Sequence, residues 1–160
     1  MRHMTWLVVL IPLFGAGCRQ APARIEPETI MAMERAALDR WGKGDPDGYF
    51  EIMARDETYF DPTGAKRVDG EEALRPLIAP FRGKIRIDRY EMIDPRVQGD
   101  DHVAVLTFNL ISRGAQVNAG KKGDVRWNAT EVYQRIDGRW KIVHSHWSYT
   151  KPELKEQPAE

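Results

Sequence analysis

Residues Thr130–Ser148 read TEVYQRIDGRWKIVHSHWS, two strand-like runs joined by Asp137 and Gly138. Asp-Gly between alternating apolar residues is a strong hairpin signal, because the two-residue turn that matches strand twist needs positive φ at both positions. The stretch therefore predicts antiparallel strands over Val125–Ile136 and Arg139–Tyr149. Counting by two places Trp127, Glu131 and Tyr133 on one face of the first strand, and Trp147 with Tyr149 on one face of the second. The same count groups His144 and His146 with Trp140, Ile142 and Ser148.

Outward from this hairpin, the preceding third of the chain also has strand character. His102–Ser112 is a dense apolar run after a turn at Asp100–Asp101, and Gly114–Gly123 reads as a polar loop. Lys84–Met92 alternates, although the alternation slips near Arg89. Further back the period becomes helical. Ile30, Met33, Ala37 and Trp41 recur at helical spacing within Glu28–Trp41, and Gly42–Gly44 ends that helix. Asp45-Pro46 caps and opens a second helix that runs to about Ala54 and presents Tyr49 and Phe50. Asp56–Asp61 is a short strand closed by Pro62, with Tyr59 and Asp61 on one face. Glu71–Phe81 is a third helix kept short or irregular by Pro76 and Pro80. Helices first and strands last predict an α+β domain, with helices on one face of an antiparallel sheet.

Length and charge narrow the function. The 160 residues carry 24 basic and 24 acidic side chains and one cysteine. That length suits one domain, and a zero balance removes the electrostatic reason to expect nucleic acid as a partner. A lone cysteine supports neither an internal disulfide nor a four-thiolate zinc site.

The cysteine gains meaning from its surroundings. Met1–Gln20 reads MRHMTWLVVLIPLFGAGCRQ, with Arg2, an apolar run from Trp6 to Phe14, and small residues before Cys18. The run falls short of the roughly 18–20 residues that span a bilayer, which favours an export signal over a membrane anchor. The segment resembles a bacterial lipoprotein signal, in which the cysteine becomes the lipid-bearing first mature residue; Gly15 stands where that motif most often has leucine. Ordinary secretion is the alternative. The expected organisation is a signal over 1–17, a tether over 18–27, a domain over 28–150 and a tail over 151–160, placing the protein in the bacterial cell envelope, lipid-anchored or periplasmic/secreted. Membrane association is expected only through a lipid on Cys18.

GDPDGYF at Gly44–Phe50, YFDP at Tyr59–Pro62, VDG at Val68–Gly70 and the terminal hairpin together resemble the nuclear-transport-factor-2-like superfamily over about Glu28–Tyr149. They are most similar to its SnoaL-like branch and to the association domain of calcium/calmodulin-dependent kinases. The resemblance implies a cone-shaped fold of cystatin-like α+β type, a curved antiparallel sheet packed on three helices around an apolar pocket, and a homodimer formed by pairing of sheets. The scaffold hosts isomerases, cyclases, dehydratases, oligomerisation hubs and non-catalytic binders, so fold alone does not assign an activity.

Carried over residue by residue, the resemblance puts Asp61 where ketosteroid isomerases of the superfamily keep their catalytic carboxylate. Their first-helix tyrosine corresponds to Ala37, and no acid at Asn128 or Thr130 matches their second acidic residue. The kinase association domain holds pocket arginines at the positions of Asn109, Glu131 and Trp147, so that positive set is replaced here, while its pocket tyrosine matches Tyr49.

Asp61 is accordingly the candidate general base, since a desolvated carboxylate exchanges protons near neutral pH; capping of a turn is the competing role for an Asp before Pro. Tyr49, Tyr59, Asn109, Glu131, Trp147, His144 and His146 are the candidate ligand-binding residues. Two imidazoles with one carboxylate would be a minimal metal set, but no second acidic residue has motif-like spacing, so structural or hydrogen-bonding histidines are expected, with no metal and no cofactor. A His pair can also respond to envelope pH. If Glu131 and Asp61 both point inward, they form an acidic floor suited to a cationic or hydroxylated ligand and unsuited to an acid. The expected function is an exported, lipid-anchored binder of a small apolar or ring-containing molecule. The alternatives are an isomerase or dehydratase using Asp61, and a homo-oligomerising protein-interaction module.

Overall fold

The computed structural model describes residues 26–151. The signal, Cys18, most of the tether and all but the first residue of the tail lie outside the described residues. Helix α1 (Pro27–Trp41) opens on proline and an acidic first turn, both favourable where backbone N–H groups lack partners. It buries Ile30, Glu34, Ala37 and Leu38, so a carboxyl lies on the apolar stripe. Helix α2 (Asp47–Ile52) follows Asp45, whose carboxylate accepts the Asp47 N–H at 3.1 Å.

Strand β1 (Met53–Phe60) follows without a loop. The second helix thus stops at Ile52 rather than Ala54, because Met53 already pairs with Ile142 of the last strand and both Met53 and Ala54 are buried. After β2 (Val68–Asp69), α3 (Glu71–Ile78) passes into a 3-10 turn (Ala79–Phe81), the irregularity expected from Pro76 and Pro80. The Lys84–Met92 strand is two pieces, β3 (Ile85–Arg86) and β4 (Arg89–Gly99), broken where the alternation slips. Strands β5 (Val103–Val117), β6 (Gly123–Ile136) and β7 (Arg139–Tyr149) complete the sheet.

The sheet order is β2-β1-β7-β6-β5, with β4 and β3 both paired to the far edge of β5. Every pair is antiparallel except β1 with β7. Direction along that pair is not set by a turn, since the partners lie far apart in sequence, so local pattern could not reveal it.

Two irregularities shape the sheet. On β5 the register shifts between Ser112 and Ala115 around Gly114, whose φ of 61° is in the left-handed region. The strand therefore continues through Val117, where a loop starting at Gly114 was expected: glycine serves here as a bend, and β5 passes from pairing with β4 to pairing with β3. On β7 the register shifts between the partners of Val132 and Tyr133, so Val143 is the extra residue of a bulge. The Asp137-Gly138 turn has both φ values positive, 48° and 77°, as the hairpin reading requires.

Helices cover the concave face. Ile30, Leu38 and Leu74 meet Ala104, Leu106, Phe108 and Leu110 of β5, Ala129 and Tyr133 of β6, and Trp140 and Ile142 of β7. This is the expected α+β cone.

Candidate functional site

Between the helices and the concave wall lies a cavity of about 300 Å³. Its lining is largely aromatic and aliphatic, with Trp41, Tyr49, Tyr59, Trp127, Trp147 and Tyr149 among the rings. Alternate residues of β6 point into it, as counting by two predicts: Val125, Trp127 and Glu131 line the cavity, with Ala129 and Tyr133 buried on the same face. Trp127 and Trp147 meet edge to face at 6.0 Å, and the Trp127 and Tyr149 rings lie 4.6 Å apart.

The bulge at Val143 decides which residues of β7 reach the cavity. Before it Trp140 and Ile142 point inward; after it Ser145, Trp147 and Tyr149 do. His144 and His146 are thereby turned to the outer face, opposite to Trp140 and Ile142, which corrects the grouping obtained from uninterrupted alternation. There the Phe60 ring lies 5.8 Å from His144 and 5.5 Å from His146, and Thr58 Oγ1 is 2.8 Å from His144 Nδ1. Asn109 is also outside, on the exposed face of β5, donating to Asn128 Oδ1 at 2.7 Å. These three residues do not line the cavity, whereas Tyr49, Tyr59, Asp61, Glu131 and Trp147 do.

Asp61 sits half-buried at the rim. Its Oδ1 accepts the Thr63 N–H at 2.7 Å and the Thr63 hydroxyl at 2.5 Å, and Tyr59 donates to Oδ2 at 3.5 Å. It therefore both caps the turn after β1 and borders the cavity.

Deeper in, three carboxyls are removed from water: Glu34 and Glu131 are 0% exposed and Glu57 is 2% exposed. Tyr49 donates to Glu34 Oε1 at 2.8 Å. The Tyr133 hydroxyl lies 3.1 Å from Glu34 Oε2 and 2.9 Å from Glu131 Oε2. A phenol has one proton, so both contacts are hydrogen bonds only if one carboxyl is protonated and donates back. Burial, reinforced by the nearby Glu34, pushes Glu131 well above the usual carboxylate range. The Tyr49 and Tyr133 phenols are pushed up for the same reason, burial first and the neighbouring carboxyls second.

Glu57 is held separately. Ser145 donates to its Oε1 at 2.6 Å, and burial raises its pKa to about 7 against the partial relief given by that bond. Glu57 Oε2 and Glu131 Oε1 have no partner among the described residues, and both side chains belong to residues that line the cavity. The two carboxyls are neighbours through the sheet, since Glu131 pairs with Ser145, the residue that holds Glu57. Among the described residues no Lys, Arg or His lines the cavity.

Glu34 and Glu57 were missed in the sequence although both carried a signal. Glu57 shares the alternating face of Tyr59 and Asp61, and Glu34 lies four residues after Ile30 and three before Ala37 on the apolar helix stripe. Among the described residues no group of three or more His, Cys, Asp or Glu side chains is arranged to hold a metal ion.

Fold and cavity together define a cone-shaped α+β pocket protein. Residues 30–152 match the SnoaL-like domain model, and the chain belongs to that family. Among solved structures, a Parabacteroides distasonis protein whose assignment as a ketosteroid isomerase is provisional is 38% identical, covering 79% of this chain and 89% of its own, with a TM-score of 0.64. A nuclear-transport-factor-2-like protein of Cytophaga hutchinsonii (18% identical, 79% and 99% covered, TM-score 0.64) and the hub homology domain of the Chlamydomonas reinhardtii calcium/calmodulin-dependent kinase (22%, 78% and 98%, 0.64) share the fold. No curated protein matches the chain.

Proposed function

We propose that this chain binds a small, largely apolar, ring-sized molecule inside the cone. The observation that carries the reading is the aromatic cavity of about 300 Å³ in which two desolvated carboxyls each keep one oxygen unpaired. A pocket of this kind gains affinity from its apolar walls and orientation from its few polar groups. Native mass spectrometry of the full chain purified from its producing cells, followed by Trp147→Ala, tests it. A co-purifying small molecule lost in the variant supports the reading, and a chain that neither carries nor takes up any apolar ligand sinks it.

A second reading, isomerase-type proton transfer, is favoured by Glu57. Its pKa of about 7 suits a group that removes a proton beside a carbonyl and returns it elsewhere on the same molecule. In this reading the base is Glu57, 2% exposed, rather than the half-buried Asp61, whose Oδ1 is bound by Thr63. With a β,γ-unsaturated ketone as substrate, Glu57→Gln abolishes turnover and Asp61→Asn retains most of it; the reverse pattern returns the role to Asp61.

We also propose export with lipid attachment at Cys18, supported by the apolar run Trp6–Phe14 and the small residues before the cysteine. Cys18→Ser then releases the protein from the membrane fraction, whereas full retention of a processed chain argues against the lipid. Self-association through the outer sheet face is the remaining expectation, and sedimentation of the full chain decides it.

A further inference from the structure

We propose that the ligand of the cavity is an organic cation, a ring-sized apolar body bearing an ammonium group that pairs with the carboxyls of Glu57 and Glu131. The inference rests on the reading of the cavity as a ligand pocket and names the chemical class it takes. Two observations meet in it. The first is a charge imbalance inside a low-dielectric space: Glu57, Asp61 and Glu131 line the cavity, and no Lys, Arg or His among the described residues does. The second is unspent hydrogen-bonding capacity, because an oxygen on each of two nearly fully buried carboxyls lacks a partner among the described residues. An unpaired buried acceptor is costly, and a donor supplied by a ligand recovers that cost.

A hydroxyl could donate to one of these oxygens, but only a cation meets the rest of the wall. An ammonium supplies several donors and the counter-charge that lets a buried carboxyl ionise. The aromatic rings of the cavity, Trp41, Trp127 and Trp147 among them, offer π faces that attract a cation and add nothing comparable for a neutral alcohol. A carboxylate ligand would meet acids with no compensating base. The other titratable groups facing the pair are Glu34 from α1, Tyr49 from α2, Tyr59 and Asp61 from β1, and Tyr133 from β6. All are acids or phenols, so none supplies positive charge. Ionisation of Glu57 on binding requires the loss of its proton, so the cation is bound more strongly as pH rises through about 7.

The test uses the full chain and three matched probes: phenethylammonium, phenethyl alcohol and phenylacetate, titrated by calorimetry. At about pH 8 the ammonium binds roughly tenfold more tightly than the alcohol, and phenylacetate does not bind. The advantage shrinks at about pH 5.5, where the carboxyls stay protonated. Glu57→Gln and Glu131→Gln each remove the advantage while leaving the alcohol bound. Alcohol binding equal to or tighter than ammonium binding in the unaltered chain overturns the inference and leaves the pocket reading intact. Binding of none of the three overturns both.

Discussion

The two faces of one sheet treat their carboxyls in opposite ways. On the outside, acids are matched with arginines: Arg113 bonds Glu91 at 3.0 Å and Asp124 at 2.7 Å, and both carboxylates are held below their usual range chiefly by that bond. Asp45 with Arg40 and Asp47 with Arg82 follow the same pattern near the helices. On the inside, Glu34, Glu57 and Glu131 accept from the hydroxyls of Tyr49, Tyr133 and Ser145, and burial raises Glu57 and Glu131. Although the chain has as many basic as acidic side chains, none of the bases among the described residues lines the cavity. Stability alone would favour apolar replacements of these buried acids. Glu57 and Glu131 line the cavity with no Lys, Arg or His beside them among the described residues, whereas the exterior carboxylates are charge-matched and face solvent.

That contrast can be broken most severely at the bulge. Deleting Val143 restores uninterrupted alternation in β7 and exchanges the faces of everything after it, sending Ser145, Trp147 and Tyr149 outward. The loss is about 4 kcal/mol or more, enough to abolish cooperative unfolding in a small domain, and a denaturation profile close to that of the unaltered chain would contradict the assignment of faces.

Next comes pH. The folded pKa of Glu57 is raised from 4.5 to about 7, so the stability it contributes is fully present below about pH 4.5 and is lost as pH rises through about 7. The difference across that window is about 3 kcal/mol, with Glu131 acting in the same direction. Urea titrations across this window should show stability falling, and Glu57→Gln should flatten the fall. The exterior carboxylates have lowered pKa values, so their contribution is lost only at more acid pH and does not mask the effect.

Tyr133→Phe sharpens the comparison further. It removes the hydroxyl shared by Glu34 and Glu131 and costs about 2 kcal/mol at equilibrium, because buried oxygens lose their partner. Arg113→Ala on the outer face should have the smallest effect of the four and lose most of it at high salt, since exposed ion pairs are screened. A loss from Arg113→Ala as large as that from Tyr133→Phe would erase the distinction between the faces.

Much of this was legible in the chain. The Asp137-Gly138 hairpin, the three helices, and the shared face of Trp127, Glu131 and Tyr133 on β6 follow from turn chemistry and periodicity, which act between near neighbours. Tyr49, Tyr59 and Trp147 were likewise placed at the cavity they line. The failures are just as local. Glycine at 114 reads as a loop because sequence does not separate a bend inside a strand from its end. His144 and His146 were assigned to the wrong face because one unpaired residue inverts a period of two, and Val143 carries no composition that announces a bulge.

By itself, then, the sequence determined the α+β class, the family and the supply of aromatic and acidic residues, since these depend on short-range pattern and on matching strings. Only the tertiary structure decided which acids are buried. Glu57 is separated from Ser145 by most of the domain, and Glu34 meets Tyr133 across the cone; their altered acidity comes from exclusion of water and from each other, conditions that exist only once β1, β6, β7 and α1 are packed together.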